Sequence, residues 1–437
     1  MIKVNNSVSL MNSYILTTKR VRSLYIFVLL SLFLALFIIT GILNSDFLKI
    51  LIFSFGLFII YRVNIYLKYL IDLVKPSLIV RECILFVIER QGLYKSSEGI
   101  ILSSATLEYY FKDGYVFVNA ILRGDEYVDR LCDIGLYLGT SLGITLESQE
   151  LFPTCMQYKF RYIVPERLHV SSLPLEDDTL KIKIYDNFII SLRRNYSMLI
   201  SGASGAGKSF FTYYYLTRFI AQTVNGRHAK IFVIDPKMSD LHKLCKLSRM
   251  PLSHYGTTNA DAFRIVRQYI NELNRRMEIY NKSDLFDSIA IDLGLPPLLL
   301  VIEEYSSLVA SMDIKVKKDF ENMVGVIAQK ARSLSMGVCI VMQQPRADSL
   351  STNIREQLVN SIFLGCPTQE SSQMCFSTTD VPKVQKGKGI GLYSIEREPP
   401  KEFQAPIFDK DVFESILPVW ECAAKDYMKD EDEECMK

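Results

Sequence analysis

The segment at 202–209 has the residue types needed to bind a nucleoside triphosphate. It fits the phosphate-binding pattern G-x-x-x-x-G-K-[ST], and an apolar run precedes it while a helix-like run follows. The glycines let consecutive backbone N–H groups face phosphate oxygens, while Lys208 should reach the β- and γ-phosphates and Ser209 should bind Mg²⁺. The predicted nucleotide-binding residues are Gly202, Ala203, Ser204, Gly205, Ala206, Gly207, Lys208 and Ser209.

Two adjacent carboxylates end a second apolar run. The run at 298–302 leads directly into Glu303 and Glu304. We expect Glu303 to hold Mg²⁺ through water and Glu304 to polarise the water that attacks the γ-phosphate. Aspartate is more usual at the first of these positions, and the extra methylene of Glu303 still permits an outer-sphere contact. The alternative is a pair of exposed glutamates at a strand end, which the upstream phosphate loop disfavours.

Two further apolar runs also end in polar residues. The run at 231–234 leads into Asp235, and the run at 338–342 leads into Gln343. Because the carboxyl ends of parallel strands meet at one edge of a sheet, Gln343 should lie beside the acids, where it can sense the γ-phosphate or position the water. The order of these segments predicts an α/β P-loop motor domain with a RecA-like parallel sheet.

The amino-terminal region is apolar enough to enter a membrane. Residues 24–43 contain no charged side chain, and 20 helical residues span roughly the 30 Å of a bilayer's hydrocarbon core. They predict a transmembrane helix, with a cleaved signal peptide as the alternative. A second, shorter stretch at 47–61 predicts a transmembrane hairpin, with a single span as the alternative. Basic residues on both flanks predict a multi-pass protein of the cell membrane with both ends in the cytoplasm.

Between the anchor and the motor, short β-like runs predict a small α+β domain. An Asp-Gly turn within 107–121 is typical of a β-hairpin, and an apolar periodicity at 125–142 predicts a helix. The predicted domains are a cytoplasmic segment at 1–23, a membrane anchor at 24–75, the α+β domain at 76–170, the motor domain at 171–406 and an acidic tail at 407–437.

Composition limits the partners of the chain. A formal net charge of +2 over 437 residues gives no whole-protein attraction for nucleic acid, so any DNA contact must be local. Nine cysteines include no C-x-x-C pair and no His/Cys cluster at zinc spacing. We therefore expect reduced thiols and no structural metal.

Six stretches between about 180 and 395 resemble, in order, the FtsK/SpoIIIE family of hexameric DNA-pumping ATPases. They are NYSMLISGASGAGKS, IFVIDPKMSDL, NELNRRMEIY, LLLVIEEYSSL, IAQKARSLSMGVCIVMQQP and GKGIGLY. A generic P-loop ATPase would share the first and fourth alone. The resemblance implies a homo-hexamer with ATP and Mg²⁺ between neighbours, DNA in the centre, and an arginine supplied in trans, for which the candidates are Arg332, Arg346 and Arg355.

The chain also departs from the family. Asn360-Ser361 stand where the family commonly has Thr-Arg, and the residues after Pro406 are too few for the winged-helix module of chromosome-segregating members. A short anchor, a small domain and a bare motor look most like the coupling proteins of Gram-positive conjugative plasmids and integrative conjugative elements. This resemblance implies DNA, a relaxase and mating-channel proteins as partners.

Two lysine-rich segments are candidates for DNA contact, since phosphate binding needs local charge and no base-edge contacts. One is a predicted loop after the acidic run and the other is VPKVQKGKG, and the candidate residues are Lys315, Lys317, Lys318, Lys383, Lys386 and Lys388. Solvated surface charge is the alternative for each lysine.

Three other functions compete with conjugative coupling. The first is a double-stranded DNA pump for chromosome or plasmid segregation. The second is a type VII-like protein-secretion ATPase, which the single P-loop disfavours because those motors usually have several tandem domains. The third is a membrane scaffold without hydrolysis, which the intact Lys208, Ser209 and Glu304 disfavour.

Overall fold

The chain forms two compact units, Met1–Val164 and Pro165–Lys437. The computed structural model describes the backbone of residues 7–11, 17–42, 45–163, 165–186, 188–346, 349–384 and 387–435, with side chains up to 429.

The first unit contains the amino-terminal helices and a small antiparallel sheet. Its elements are β1 Ser7–Val8, α1 Thr18–Ile42, α2 Asp46–Arg90, β2 Tyr94–Ser97, β3 Ile100–Ser104, β4 Leu107–Lys112, β5 Tyr115–Ile121, α3 Val128–Cys132, α4 Gly135–Leu142, β6 Leu146–Phe152 and β7 Cys155–Arg161.

Helices α1 and α2 are both long and apolar enough to cross a membrane. They pack closely where Gly56 of α2 leaves room for Leu36 of α1, because a Cβ on Gly56 would lie 2.3 Å from Leu36 Cδ1. A hydrogen bond from the Tyr25 hydroxyl to Asn64 Oδ1, 2.5 Å long, joins the same pair of helices. The two helices therefore form a hairpin.

The structure corrects the predicted end of the second helix and the boundary at 75. Helix α2 continues past Arg62 and Pro76 to Arg90, over 45 residues, which at helical rise is about 68 Å and more than twice the hydrocarbon core. It continues because Ile84, Val87 and Ile88 bury their side chains in the core of the small sheet. One helix thus joins the apolar anchor to the small domain.

The small domain is a five-stranded antiparallel sheet in the order β1-β4-β5-β7-β6. Strands β4 and β5 form the predicted hairpin, and its turn residues Asp113 and Gly114 both have a positive φ, at 50° and 79°. This is the backbone that a two-residue Asp-Gly hairpin turn favours. The single helix predicted at 125–142 is two short helices, α3 and α4, which bury Leu131 and Leu138.

The second unit alternates strands with helices. Its elements up to the acidic strand are β8 His169–Val170, β9 Lys181–Tyr185, β10 Phe188–Ser191, β11 Met198–Gly202, α5 Lys208–Ile220, β12 Thr223–Val224, β13 Arg227–His228, β14 Lys230–Ile234, α6 Asp240–Leu247, β15 Tyr255–Gly256, α7 Asn259–Asn281, a 3₁₀ turn Ala290–Leu293 and β16 Leu298–Ile302. The remaining elements are α8 Tyr305–Ala310, α9 Ile314–Lys330, β17 Met336–Met342, α10 Thr352–Arg355, β18 Asn360–Leu364, α11 Gln369–Phe376, β19 Ile390–Ser394, β20 Lys401–Gln404, β21 Ile407–Phe408 and α12 Val412–Cys435.

An eight-stranded sheet organises this unit, in the order β15-β14-β16-β17-β11-β18-β19-β20. The first six strands are parallel, and β19 pairs antiparallel with both of its neighbours, β18 and β20. Helices cover both faces, so β16 and β17 are buried along their whole length, as parallel sheets require. The predicted RecA-like parallel sheet is confirmed, with β17 between the phosphate-loop strand β11 and the acidic strand β16.

The segment at 407–437 is not the tail that its acidic residues predicted. Strand β21 pairs with β8, and α12 packs against the phosphate-loop helix α5. Trp420 is fully buried, and its indole N–H donates to Thr217 Oγ1 at 2.8 Å. The apolar side chains that make this contact recur at helical spacing: Ile416, Val419, Trp420, Ala423 and Tyr427. The boundary at 406 is therefore wrong, and α12 completes the core.

We expect Trp420→Ala to lower the free energy of unfolding of this unit by about 3–5 kcal/mol, because it empties a buried site the size of an indole. The measurement is urea unfolding of the detergent-solubilised chain followed by circular dichroism. Met428→Ala, on the same helix and 47% exposed, is the control and should change stability by less than about 1 kcal/mol. Equal unfolding midpoints for the two variants would contradict a docked α12.

Candidate active site

Four neighbouring parallel strands end at one edge of the large sheet and bring the predicted polar residues together. Ile234 pairs with Ile302, Ile302 pairs with Ile340, and Met342 pairs with Ser201. The residues that directly follow these strand ends are therefore near neighbours. They include Asp235 after β14, Glu303 after β16 and Gln343 after β17, beside the phosphate loop after β11.

The phosphate loop has the backbone that its glycines allow. Gly202, Gly205 and Gly207 have φ values of 155°, 77° and 98°, and helix α5 begins at the next residue, Lys208. A Cβ on Gly207 would lie 3.0 Å from the Gly389 nitrogen. That nitrogen donates a 2.8 Å hydrogen bond to the Ala206 carbonyl, so the loop is held from outside as well.

Lys208 is almost completely buried behind the loop, at 8% exposure. Its Nζ lies 3.5 Å from the Gly202 carbonyl oxygen and 3.9 Å from Glu304 Oε1. Burial lowers the pKa of Lys208, while the charges of Glu304 and Glu303 act in the opposite direction. A buried ammonium of this kind gains from an anionic partner, which a phosphate group would supply.

Glu304 contacts three polar side chains of the site. Its carboxylate accepts a 3.2 Å hydrogen bond from Gln343 Nε2 and forms ion pairs with Lys208, at 3.9 Å, and Lys237, at 3.2 Å. Its backbone is left-handed, with φ 47° and ψ 50°, a conformation uncommon for a glutamate and often found at functional sites. The structure thus brings together the predicted pair Glu304 and Gln343, and it adds Lys237.

Lys237 was missed as a site residue, although the sequence contains a signal for it. It follows β14, the strand next to the acidic strand, at the same edge of the sheet. Sequence alone does not show that its side chain turns back to Glu304, because that depends on the turn at 235–239. Asp235 fixes this turn by accepting hydrogen bonds from the backbone N–H of Lys237 and Ser239, at 3.2 and 2.8 Å.

Glu303 is buried, at 8% exposure. Burial and then the charge of Asp235 raise the pKa of Glu303 to about 7, while Lys208 and Lys237 act to lower it. Its Oε2 is buried without a hydrogen-bond partner among the described residues. A buried carboxylate with an unpaired oxygen, next in charge to Asp235 and at the same sheet edge as the start of α5 with Ser209, suits a hard divalent cation such as Mg²⁺.

The three candidate arginines have different positions. Arg346 follows β17 at the same edge as the phosphate loop, and its guanidinium donates to Gln344 Oε1 at 3.3 Å. Arg355 lies in α10, 2.9 Å from Met374 Sδ. Arg332 is exposed just before β17, at the opposite edge of the sheet.

The candidate DNA-contact lysines fall into two groups. Lys315, Lys317 and Lys318 lie in the first turns of helix α9, not in the predicted loop, because the helix begins at Ile314. Lys317 pairs with Glu321 at 3.9 Å. In the second segment Lys383 and Lys388 are exposed, and Lys386 lies outside the described residues.

Lys388 belongs to the strip that covers the phosphate loop. Its carbonyl carbon would lie 3.9 Å from a Cβ on Gly207. The position is therefore next to the nucleotide-binding backbone, which the sequence did not predict.

Asn360, at the position where the sequence departs from Thr-Arg, supports the sheet. Its amide donates to the carbonyls of Asn195 and Ser197 at 2.8 and 3.1 Å, and its oxygen accepts from the Glu396 N–H at 3.2 Å. It lies at the amino end of β18, the opposite edge from the phosphate loop. Asn360 therefore fixes the start of β11 and β18.

The chain is similar in sequence to proteins described as DNA translocases. No family model matches the chain. It is similar to the DNA translocase FtsK of Borreliella burgdorferi, with 24% identity over 262 residues that cover 56% of this chain and 32% of that protein. The DNA translocase SftA of Bacillus subtilis is 26% identical over 214 residues, 47% of this chain and 22% of that protein. The predicted resemblance to the FtsK/SpoIIIE family is confirmed.

The similarity to these two relatives covers only part of their length. The chain spans about a third or less of the length of these two relatives. Among solved structures, the conjugation coupling protein TcpA of pCW3, in its monomer form with ATPγS, matches with a TM-score of 0.52 over 78% of this chain and 98% of its own. At 17% identity this match establishes the fold. The P-loop ATPase fold predicted from the sequence is thus confirmed.

The raised pKa of Glu303 predicts a pH-dependent stability in the absence of nucleotide. Its folded-state pKa of about 7 exceeds the ordinary 4.5. The contribution of the protonated carboxyl to the free energy of unfolding is therefore complete below the ordinary pKa and is lost as pH rises through the folded-state pKa. The size is about 3 kcal/mol, at roughly 1.4 kcal/mol for each pKa unit. Glu303→Gln should remove that loss.

The measurement is the free energy of unfolding at pH 5, 6, 7 and 8 without nucleotide or Mg²⁺. The difference between wild type and Glu303→Gln isolates the titration of this carboxyl, because both proteins share the other groups. Glu421→Gln, at an exposed position on α12, is the control and should follow the wild type. Parallel curves for wild type and Glu303→Gln would show that Glu303 does not titrate in this range.

Proposed function

We propose that this chain is a membrane-anchored, ATP-driven DNA translocase that acts as a coupling protein in conjugative DNA transfer. The observation that supports it most directly is the group formed by the phosphate loop, Glu303, Glu304 and Gln343 at one sheet edge. That edge belongs to a fold shared with TcpA, described as a conjugation coupling protein. The sequence relatives with this motor region are described as DNA translocases.

ATP hydrolysis follows from the positions of the side chains. A triphosphate on the loop attracts Lys208, which then leaves its 3.9 Å contact with Glu304. Gln343, already hydrogen-bonded to Glu304, helps to hold the attacking water. The water oxygen bonds to the γ-phosphorus as the bond to the β,γ-bridging oxygen breaks. The water proton passes to Glu304, and ADP and phosphate leave.

Mg²⁺ is part of this proposal, because the acids fit it. Ser209 Oγ and Glu303 would hold the ion, Glu303 through water, with Asp235 buried beside it. When bound, Mg²⁺ neutralises charge on the β- and γ-phosphates. The protein keeps the carboxylates of Glu303 and Asp235 together. Their repulsion costs free energy, which a bound Mg²⁺ would offset.

We further propose a homo-hexamer in which Arg332 acts on the nucleotide of a neighbouring subunit. The guanidinium groups of Arg346 and Arg355 have hydrogen-bond partners within the chain, whereas Arg332 is exposed and its guanidinium has no hydrogen-bond partner among the described residues. An arginine from a neighbour would stabilise the charge that develops on the transferred phosphoryl group.

For DNA we propose the lysines at the start of α9. Lys315 and Lys318 are exposed at a helix amino terminus, where the helix dipole is already positive and a cation is disfavoured. An arrangement that concentrates positive charge in this way favours a polyanion such as the DNA backbone. Lys383 and Lys388 lie in the second proposed contact segment.

The α1–α2 hairpin is proposed to anchor the protein in the cell membrane. Basic residues lie near both ends of its apolar part, which is the pattern of cytoplasmic flanks. The motor would then face the cytoplasm, where ATP is present. A relaxase bound to the DNA and the proteins of the mating channel are the partners that the coupling role requires.

Substitutions at the loop and at the base test the ATPase. Lys208→Ala should abolish ATP turnover, and Glu304→Gln should lower turnover at least about 100-fold while ATP stays bound. Turnover is measured by phosphate release and binding by a fluorescent ATP analogue. Lys246→Ala, at an exposed position on α6, should leave both unchanged. Full turnover by Glu304→Gln would remove Glu304 from the role of base.

DNA should stimulate this ATPase, and the α9 lysines should mediate the effect. We expect Lys315→Glu combined with Lys318→Glu to reduce the stimulation at least about tenfold at physiological salt, because each lost phosphate contact weakens binding. Basal turnover should not change. The matched control is Lys282→Glu combined with Lys330→Glu, two exposed lysines at the opposite edge of the sheet.

The same assay separates the competing functions. Single- and double-stranded DNA are tested side by side on the detergent-solubilised chain. A motor that neither form of DNA stimulates would speak against a translocase and in favour of protein secretion. Stimulation by double-stranded DNA alone would favour a segregation pump.

A further inference from the structure

A second cluster of chemically reactive side chains lies in the motor unit, outside the nucleotide site. Glu176, His228 and Cys422 each place a ligand atom within 4.8 Å of the others. The residues come from the turn before β9, from strand β13 and from helix α12. We propose that these three side chains bind a divalent transition metal, with Zn²⁺ as the ion that suits the donor set.

The donor atoms match what zinc prefers. Zn²⁺ is commonly bound by thiolate, imidazole and carboxylate groups in a tetrahedral arrangement. His228 is 2% exposed and Cys422 is partly buried, while Glu176 is at the surface. An exposed carboxylate can move the short distance needed to close the site. The Leu175 carbonyl oxygen, 3.2 Å from His228 Nε2, is a candidate for the fourth ligand.

The hydrogen bonds of His228 orient it as a metal ligand. Its Nδ1 lies 2.6 Å from Asp426 Oδ2, and its Nε2 faces the Leu175 carbonyl. Both neighbours are hydrogen-bond acceptors, so a neutral imidazole with one proton satisfies one contact and not the other. A proton on Nδ1, bonded to Asp426, leaves the Nε2 lone pair for an ion. Carboxylate–histidine–metal relays have this arrangement.

Two carboxylates lie at the cluster. Glu176 is one of the three candidate ligands, and Asp426 Oδ2 lies 2.6 Å from His228 Nδ1. Lys429 lies 3.5 Å from the other oxygen of Asp426. An ion with two positive charges would offset the charge of these carboxylates.

The position suggests what the metal does. Helix α12 docks on the phosphate-loop helix α5 through Trp420 and Thr217, and Cys422 follows Trp420 by two residues, about half a helical turn. A metal held by α12, β13 and the turn before β9 would join segments far apart in the chain. Such links stabilise a fold because the unfolded chain holds no site. The wide separation also explains why cysteine spacing predicted no structural metal.

The test is zinc binding by the full chain in detergent, first stripped with a chelator and then titrated with Zn²⁺ alone. The wild type should retain about one zinc per chain after desalting, measured by plasma mass spectrometry, and its melting temperature should rise with zinc. Cys422→Ser should lower zinc affinity at least about tenfold and remove the thermal shift. Asp426→Ala should lower affinity by about 10–100-fold, because it removes the carboxylate that accepts from His228 Nδ1.

Cys366→Ser is the matched control, because Cys366 is an exposed thiol in the same unit whose Sγ lies near the Val384 carbonyl, at 3.3 Å. It should bind zinc like the wild type. Circular dichroism and ATP binding of each variant without zinc establish that it is folded. Substitution with Co²⁺ should give a thiolate charge-transfer band in the control and not in Cys422→Ser. Equal zinc binding by Cys422→Ser and the control, or no binding by the wild type, would overturn the proposal.

Discussion

The site depends on the register of four parallel strands, β14, β16, β17 and β11. The register places the carboxyl ends of β14 and β16 level, while β17 continues two residues further to Met342, which pairs with Ser201 of β11. Residues distant in the chain therefore meet at one edge. Side chains of a strand alternate between faces, and a one-residue shift would move every one of them. At the end of β16 the left-handed backbone of Glu304 separates two successive carboxylates. Glu303 stays with Asp235, and Glu304 turns to Lys208 and Lys237. The strain costs about 1–3 kcal/mol, which the buried surroundings offset.

Much of this arrangement could be predicted from the sequence because it is encoded locally. An apolar run that ends in a charged residue marks both a buried strand and its carboxyl end, and the glycines of 202–209 fix a backbone that few other residues allow. Contacts that depend on side-chain reach were not predictable. The pairing of Lys237 with Glu304 requires the turn set by Asp235. The docked helix α12 was not predicted, because the acidic residues at its end indicated a tail, although apolar residues recur at helical spacing around Trp420.

Some stretches that resemble the FtsK family hold the sheet and take no part in its chemistry. Arg276, in NELNRRMEIY, is 2% exposed and donates to the carbonyls of Leu334 and Pro296, at 3.0 and 2.8 Å, and to Glu272 at 2.8 Å. Together with Asn360 it fixes the amino edge of the sheet. A buried guanidinium with all these bonds made is costly to replace. Contacts at the amino edge thus hold the strands in register, and that register places the side chains of the site at the carboxyl edge.

The ion pairs of Glu304 link the proposed base to the nucleotide site. Without a triphosphate, Glu304 lies between the ammonium groups of Lys208 and Lys237, at 3.9 and 3.2 Å. Bound phosphates compete for Lys208, which is the more buried of the two lysines, at 9% side-chain exposure against 45% for Lys237. Once Lys208 turns to the phosphates, Glu304 keeps Lys237 and Gln343 as partners. Binding of the substrate therefore rearranges the contacts of the carboxylate that is proposed to act on the water.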